Sequence, residues 1–316
     1  MRIDQSYMEA KAMNVMRALG YEETDRLLII NADDFGMCHA TNMGIMQLLE
    51  EGSICSTSIM MPCGWAKEAA KWSAAHPELD IGVHLTFTSE WEGYKWSAMN
   101  RSRDISTLLT EEGCFPEDCL TVEHLADPEQ IRCEMISQIE AARRIGINIT
   151  HADNHMGSLY GLASGRDFLD VVFDVCAAYG LPFRMPRRIG GMKLNPELEK
   201  MAKRRIDLAD AKGVVILDTL LGLPYERIPG ETYAQVKAKA EALLRGLLPG
   251  ITEMYLHPSI VSDELKAITP HWEKRGMEWR LFRDSDIRRV IAEEGIQLIR
   301  WRDLRDVQRG QLPPLM

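Results

Sequence analysis

Four short stretches of this chain put acids and imidazoles directly after apolar runs: Asn31-Ala32-Asp33-Asp34-Phe35-Gly36, Gly82-Val83-His84-Leu85, Thr150-His151-Ala152-Asp153-Asn154-His155 and Leu256-His257-Pro258. Groups of this kind are costly to take out of water unless they are paired or bound to metal. Four such ends in one fold would converge on a single cleft. His84 or His155 taken alone reads as a satisfied buried histidine. Together with Asp34 they offer one carboxylate and two imidazoles, a donor set that suits Zn²⁺, Mn²⁺, Fe²⁺, Co²⁺ or Ni²⁺ and leaves positions open for water and substrate. Mg²⁺ is less expected from two nitrogen donors.

Asp33 and Asp34 are neighbours, so at a strand end their side chains point in different directions. They are poorly placed as a glycosidase pair, whose carboxyls face each other across roughly 5–9 Å. One on a metal and one free as a base is a better use; a helix cap or turn is the bland alternative. On an extended strand His151, Asp153 and His155 share a face, which makes Asp153 a candidate to orient His155 or another imidazole. His257, fixed by the following Pro258, is a candidate general acid. His76 suits a helix end, and His39, His124 and His271 carry no pattern that points to chemistry.

These residues need strands to deliver them. LLIINADDFG (27–36), ICSTSIMM (54–61), LDIGVHLTF (79–87), INITHAD (147–153), LPFRMP, GVVILDTL, ITEMYLHP (251–258) and IQLIRW read as strands. Helical stretches at 40–51, 128–145, 164–179, 195–206, 231–246 and 281–294 alternate with them, and residues 88–127 read as a long loop with one short helix. About eight alternations without a linker argue for one parallel α/β domain. A barrel would gather the four polar strand ends around one centre, so a distorted or incomplete (β/α) barrel is expected. Residues 1–26, with an amphipathic stretch at 9–19, read as a helical extension, and 27–316 as the domain.

With 37 Lys and Arg against 47 Asp and Glu the net charge is −10. This opposes nucleic acid and anionic membrane surfaces as partners. The seven cysteines, at 38, 55, 63, 114, 119, 133 and 176, form no CxxC pair and read as reduced thiols of a cytoplasmic protein. The first residues lack the apolar core of a signal peptide, and no run of 18 apolar residues exists. The 18 methionines read as core filling.

In this order and spacing, LLIINADDFG, GVHL, THADNH and LHP resemble the YdjC-like carbohydrate deacetylases, a family that includes the chitooligosaccharide deacetylases and is similar to the wider polysaccharide deacetylases. The resemblance runs from about Leu27 to Trp301, and NADDFG is its most specific part. It implies a distorted TIM-like (β/α) barrel that removes an N-acetyl group from a small carbohydrate. It implies one divalent ion on Asp34, His84 and His155; zinc or magnesium is expected ahead of manganese, cobalt or nickel. Asp33 would be the base, His257 the acid, and Arg184 a residue near the substrate; Asp153 and His151 are expected from their place on the strand, not from the resemblance, to bind substrate or orient a ligand beside them. A homodimer is also implied, although no heptad seam is visible. The chain departs from the family in lacking the added histidines after its third motif, in its first 26 residues, and in the Trp91-Glu92-Gly93-Tyr94-Lys95-Trp96 loop, whose aromatics either stack on sugar or pack internally. Two rival readings are a metal hydrolase of another amide or a phosphoester, and a sugar-binding barrel without turnover.

Overall fold

A computed structural model describes residues 15–188 and 196–311. The expected helix at 9–19 lies mostly outside them; residues 15–18 are helical. The strands are β1 (Arg26–Phe35), β2 (Ser56–Ile59), β3 (Ile81–Leu85), β4 (Ile149–Asn154), β5 (Thr219–Gly222), β6 (Gly250–Leu256) and β7 (Gln297–Leu298), separated by helices. They form one sheet in the order β4-β3-β2-β1-β6-β5, with β7 against the start of β1. Every pairing is parallel. β1 is central, and from Leu27 to Phe35 it is buried throughout. That is why it reads as a continuous apolar run: helices cover both faces of a parallel sheet.

The expected alternating α/β fold is present, but the sheet is open rather than closed. Between its edges, β4 and β5, the described residues form two single parallel bridges, Ala152–Phe183 and Pro186–Leu217. LPFRMP was expected to be a full strand. Its two prolines, Pro182 and Pro186, have no N–H to donate, so the segment makes isolated bridges: Arg184 donates to the carbonyl of Ala152 on one side, and Phe183 and Arg187 donate to those of Val215 and Leu217 on the other.

Elements away from the sheet secure the site. Asp127 caps the helix Pro128–Ile145 by accepting from the N–H groups of Glu129 and Gln130. That helix then pins the long segment after β3. Gln138 exchanges hydrogen bonds with the backbone of Thr86, and Glu134 accepts from the N–H groups of Met99 and Asn100 at 2.8 Å each. Trp91 and Trp96 are buried in this segment, 9% and 4% exposed, so they pack internally. The helix Trp272–Leu281 was not foreseen. Its buried positions include Lys274, Arg275 and Glu278, so no apolar stripe announces it. No described helix is long and apolar enough to cross a membrane.

His151 lies inside the fold. Its ring stacks on Trp301 at 4.8 Å and 12°, under Gly82, where a Cβ would stand 2.3 Å from the ring. Gly82→Ala is therefore expected to destabilise the protein by about 1–3 kcal/mol through overpacking, read by urea unfolding; an unchanged midpoint would mean that the ring can yield. Burial holds His151 down from the ordinary 6.5 to about 3, outweighing the pull of Asp153. Between these values the unfolded chain binds a proton that the folded chain refuses. Stability should fall as pH drops from 6.5 toward 3, and this slope should shrink in His151→Gln.

Candidate active site

At the end of β1 the register with β2 shifts between Ala32 and Phe35. Asp34 takes a left-handed backbone, φ +68°, one of two described non-glycine residues to do so. Such a conformation costs on the order of 1–3 kcal/mol and persists where the surroundings enforce it. The kink separates the two aspartates. Asp33 turns toward Arg184, and Asp34 toward two histidines.

Asp34 Oδ1 lies 3.5 Å from His84 Nε2 and 3.4 Å from His155 Nδ1. It is buried and has no hydrogen-bond partner. The other Asp34 oxygen accepts from Arg275 Nη2 at 2.6 Å. Each imidazole is also held from behind. His84 and Asp153 are paired across β3 and β4, and His84 Nδ1 donates to Asp153 at 2.7 Å. His155 follows β4 and its Nε2 meets Glu90 at 2.9 Å. Outer carboxylates of this kind orient metal-binding imidazoles and make them better donors.

These three atoms fit a metal ion. Bonds of about 2.1 Å to a tetrahedral centre would place its donors roughly 3.4 Å apart. The electrostatics agree. Burial raises Asp34, yet Arg275 and then His155 hold it well below the usual carboxylate range. Burial pushes His155 down, but Glu90 and Asp34 overcome it and lift it to about 10. Carboxylates on both sides of His155 thus ask for a positive charge, and a bound cation answers that demand as well as a proton does.

Asp33 is gripped differently. Both its oxygens accept from Arg184, at 2.7 and 2.6 Å, and Asn31 donates to it at 2.8 Å. The same guanidinium lies 2.8 Å from Asp153 and 2.5 Å from Glu253. Burial pushes Glu253 up to about 8, against the pull of Arg184, which favours its protonated form more than in a free carboxyl. His257 follows β6. Its backbone N–H donates to Glu278 at 2.6 Å, and its ring stands edge-on to Tyr225 and Tyr255. Burial takes His257 down to about 4, with Asp34 and Asp33 pulling the other way.

A cavity of about 420 Å³ opens onto Asp33, Asp34, His84, His155, Arg184 and His257, a size ordinary for a small-ligand site. A larger hollow, about 590 Å³, lies at the other end of β4 around Ile139, Tyr179 and Arg309 and touches none of these groups. Six of the residues expected from sequence thus share one cavity. Asp153 stands behind His84, and His151 lies deeper, outside the cavity lining, 3.9 Å from Asp153. Glu90, Tyr225, Glu253, Tyr255, Arg275 and Glu278 were missed. Glu253 and Tyr255 alternate with His257 along β6, a period of two that could have revealed them. Glu90, Tyr225 and Arg275 come from two connecting segments and a helix, where no such pattern operates.

The sequence matches the YdjC-like protein family over residues 27–293. A carbohydrate deacetylase of Thermoanaerobacter pseudethanolicus is 28% identical, with 89% of this chain and 100% of the relative aligned. One of Thermus thermophilus is 29% identical, with 89% and 94% aligned. Among solved structures, an Enterococcus faecalis V583 protein assigned provisionally to cellobiose-phosphate cleavage superposes with a TM-score of 0.70 at 23% identity, over 89% of this chain and 99% of the other, a likeness of fold. With that match taking in β2 to β6, all but the first residue of β1, and every residue lining the cavity, this chain belongs to the YdjC-like protein family.

Proposed function

We propose that this chain is a metal-dependent carbohydrate deacetylase that hydrolyses the N-acetyl group of an amino sugar or short chitooligosaccharide to acetate and free amine. The carrying observation is the meeting of Asp34 Oδ1, His84 Nε2 and His155 Nδ1 at 3.4–3.5 Å, unbonded and buried, beside an arginine-held second aspartate. The names of the relatives support the reaction class. The reading takes 27–316 as one domain, an incomplete (β/α) barrel, after a helical extension at 1–26, acting in the cytoplasm as a homodimer.

When bound to Asp34, His84 and His155, a divalent ion supplies Lewis acidity toward the acyl oxygen and acidifies water. Zinc suits two nitrogen donors best, with magnesium, manganese, cobalt and nickel as the other candidates. Asp33 accepts a proton from the attacking water. Arg184 holds both Asp33 oxygens, so the base is fixed in place and reorganises little. His257 is neutral in the resting site. As negative charge builds on the substrate it takes up a proton from solvent and delivers it to the leaving nitrogen, the carbon–nitrogen bond breaks, and Asp33 returns the proton it took from water to solvent. Asp153 and Glu90 hold the two imidazoles in place.

Asp33, His84 and Asp153 also lie close enough together to suggest a second ion. Arg184 occupies both oxygens of Asp33 and one of Asp153, so an ion there would face a guanidinium. This weighs against a two-metal phosphoesterase.

Chelated protein should release no acetate from diacetylchitobiose or a panel of N-acetyl sugars, and reloading with Zn²⁺, Mg²⁺, Mn²⁺, Co²⁺ or Ni²⁺ in turn should restore release with at least one. Folded, metal-loaded protein that releases none would overturn the proposal. Asp33→Asn and His257→Ala should each lower kcat by about 10²–10⁴-fold, with metal content kept and the protein folded at the assay temperature, Asp33→Asn melting lower because Arg184 loses a counter-charge; a folded variant near the wild-type rate would remove its residue from the mechanism.

A further inference from the structure

Arg275 Nη2 touches two oxygens at once: Asp34 Oδ2 at 2.6 Å and the Tyr225 hydroxyl at 3.0 Å. Those oxygens can be no further apart than the two bonds laid end to end, so the phenol stands beside the aspartate that faces both histidines. An arginine only donates. The Tyr225 oxygen therefore accepts in this bond and its own O–H remains to be given. Among the described residues no hydrogen bond runs from it to a protein acceptor, and Tyr225 lines the cavity. Burial pushes the phenol up to about 12, against the pull of Arg275, so at neutral pH the proton is there to donate.

The ring is also fixed. It meets His257 edge-on at 4.9 Å and His271 at 4.8 Å, with the Arg275 guanidinium 5.6 Å from its centre. The two other tyrosines of the cavity lack this placement. Tyr160 donates to the carbonyl of Arg184, and the Tyr255 hydroxyl lies against Gly222. A fixed donor without a protein acceptor, close to both Asp34 and His257, has one evident use in a site where an acyl group turns tetrahedral.

Resting on the deacetylase reading, we propose that Tyr225 is a catalytic residue whose hydroxyl donates a hydrogen bond to the acyl oxygen as negative charge develops on it, with Arg275 as the residue that positions it. Water adds to the acyl carbon, the carbonyl electron pair moves onto oxygen, and Tyr225 stabilises that oxygen without giving up its proton. The pair then reforms the carbonyl as the carbon–nitrogen bond breaks. A preorganised donor of this kind acts mainly in the transition state.

The test is Tyr225→Phe, which keeps the aromatic face and removes only the hydroxyl. With diacetylchitobiose, or the best substrate of the panel, kcat should fall by about 10²-fold. Metal content, melting temperature and calorimetric affinity for the free amino sugar product should stay at wild-type values. A kcat within about threefold of wild type would overturn the proposal. So would a loss of kcat matched by loss of metal or of product affinity, which would make Tyr225 a structural or uniform binding residue. Wild-type protein that releases no acetate would sink the deacetylase reading, and this inference with it, a result distinct from an active wild type with an equally active variant.

Discussion

Two buried guanidiniums make this site possible. The carboxyl groups of Asp33, Asp34, Asp153 and Glu253, from β1, β4 and β6, are buried together, and like charges so placed repel strongly in a medium that screens poorly. Arg184 answers Asp33, Asp153 and Glu253, and Arg275 answers Asp34. Burial pushes Glu253 toward its protonated form, which lessens the remaining repulsion. Removing one member of such a network would leave an uncompensated buried charge, which is far more destabilising than the pairs are stabilising. The arginines therefore set where each carboxylate can point, and so which oxygen of Asp34 is left for the histidines.

The same division separates binding from chemistry within one cleft. Asp34 has one oxygen tied and one free; Asp33 has both tied. The free oxygen lies with two imidazoles whose far nitrogens are held by carboxylates, a cation-seeking arrangement. The tied carboxylate stands next to it, oriented but unavailable to an ion. This asymmetry arises from a single kink: the left-handed backbone of Asp34 and the register shift beside it.

The connecting segments finish what the sheet begins. Glu90 reaches His155 from a loop whose backbone is bonded to Glu134 and Gln138 of a flanking helix. Tyr225 precedes β6 in the chain and Arg275 follows it. Long-range contacts of this kind, 241 residues apart for Arg275 and Asp34, close the cleft over the strand ends.

Much of the centre was legible in the sequence by itself, because burial makes a parallel strand read as an apolar run and a polar residue at its end then stands out. Asp33, Asp34, His84, His155 and His257 announce themselves in that way, and the alternation of elements announces an α/β fold. The sequence also carried two missing donors, Pro182 and Pro186, in a segment that was read as a full strand and makes isolated bridges instead. What only the tertiary structure decided are the partners. Lys274, Arg275 and Glu278 bury a charged helix face that no periodic pattern reveals, and Glu90 and Tyr225 lie in segments with no period at all. His151, which looked like part of the chemistry, became a packed ring under Gly82. Local pattern records which residues are buried; which charge answers which is set by contacts between distant segments, and these exist only once the chain has folded.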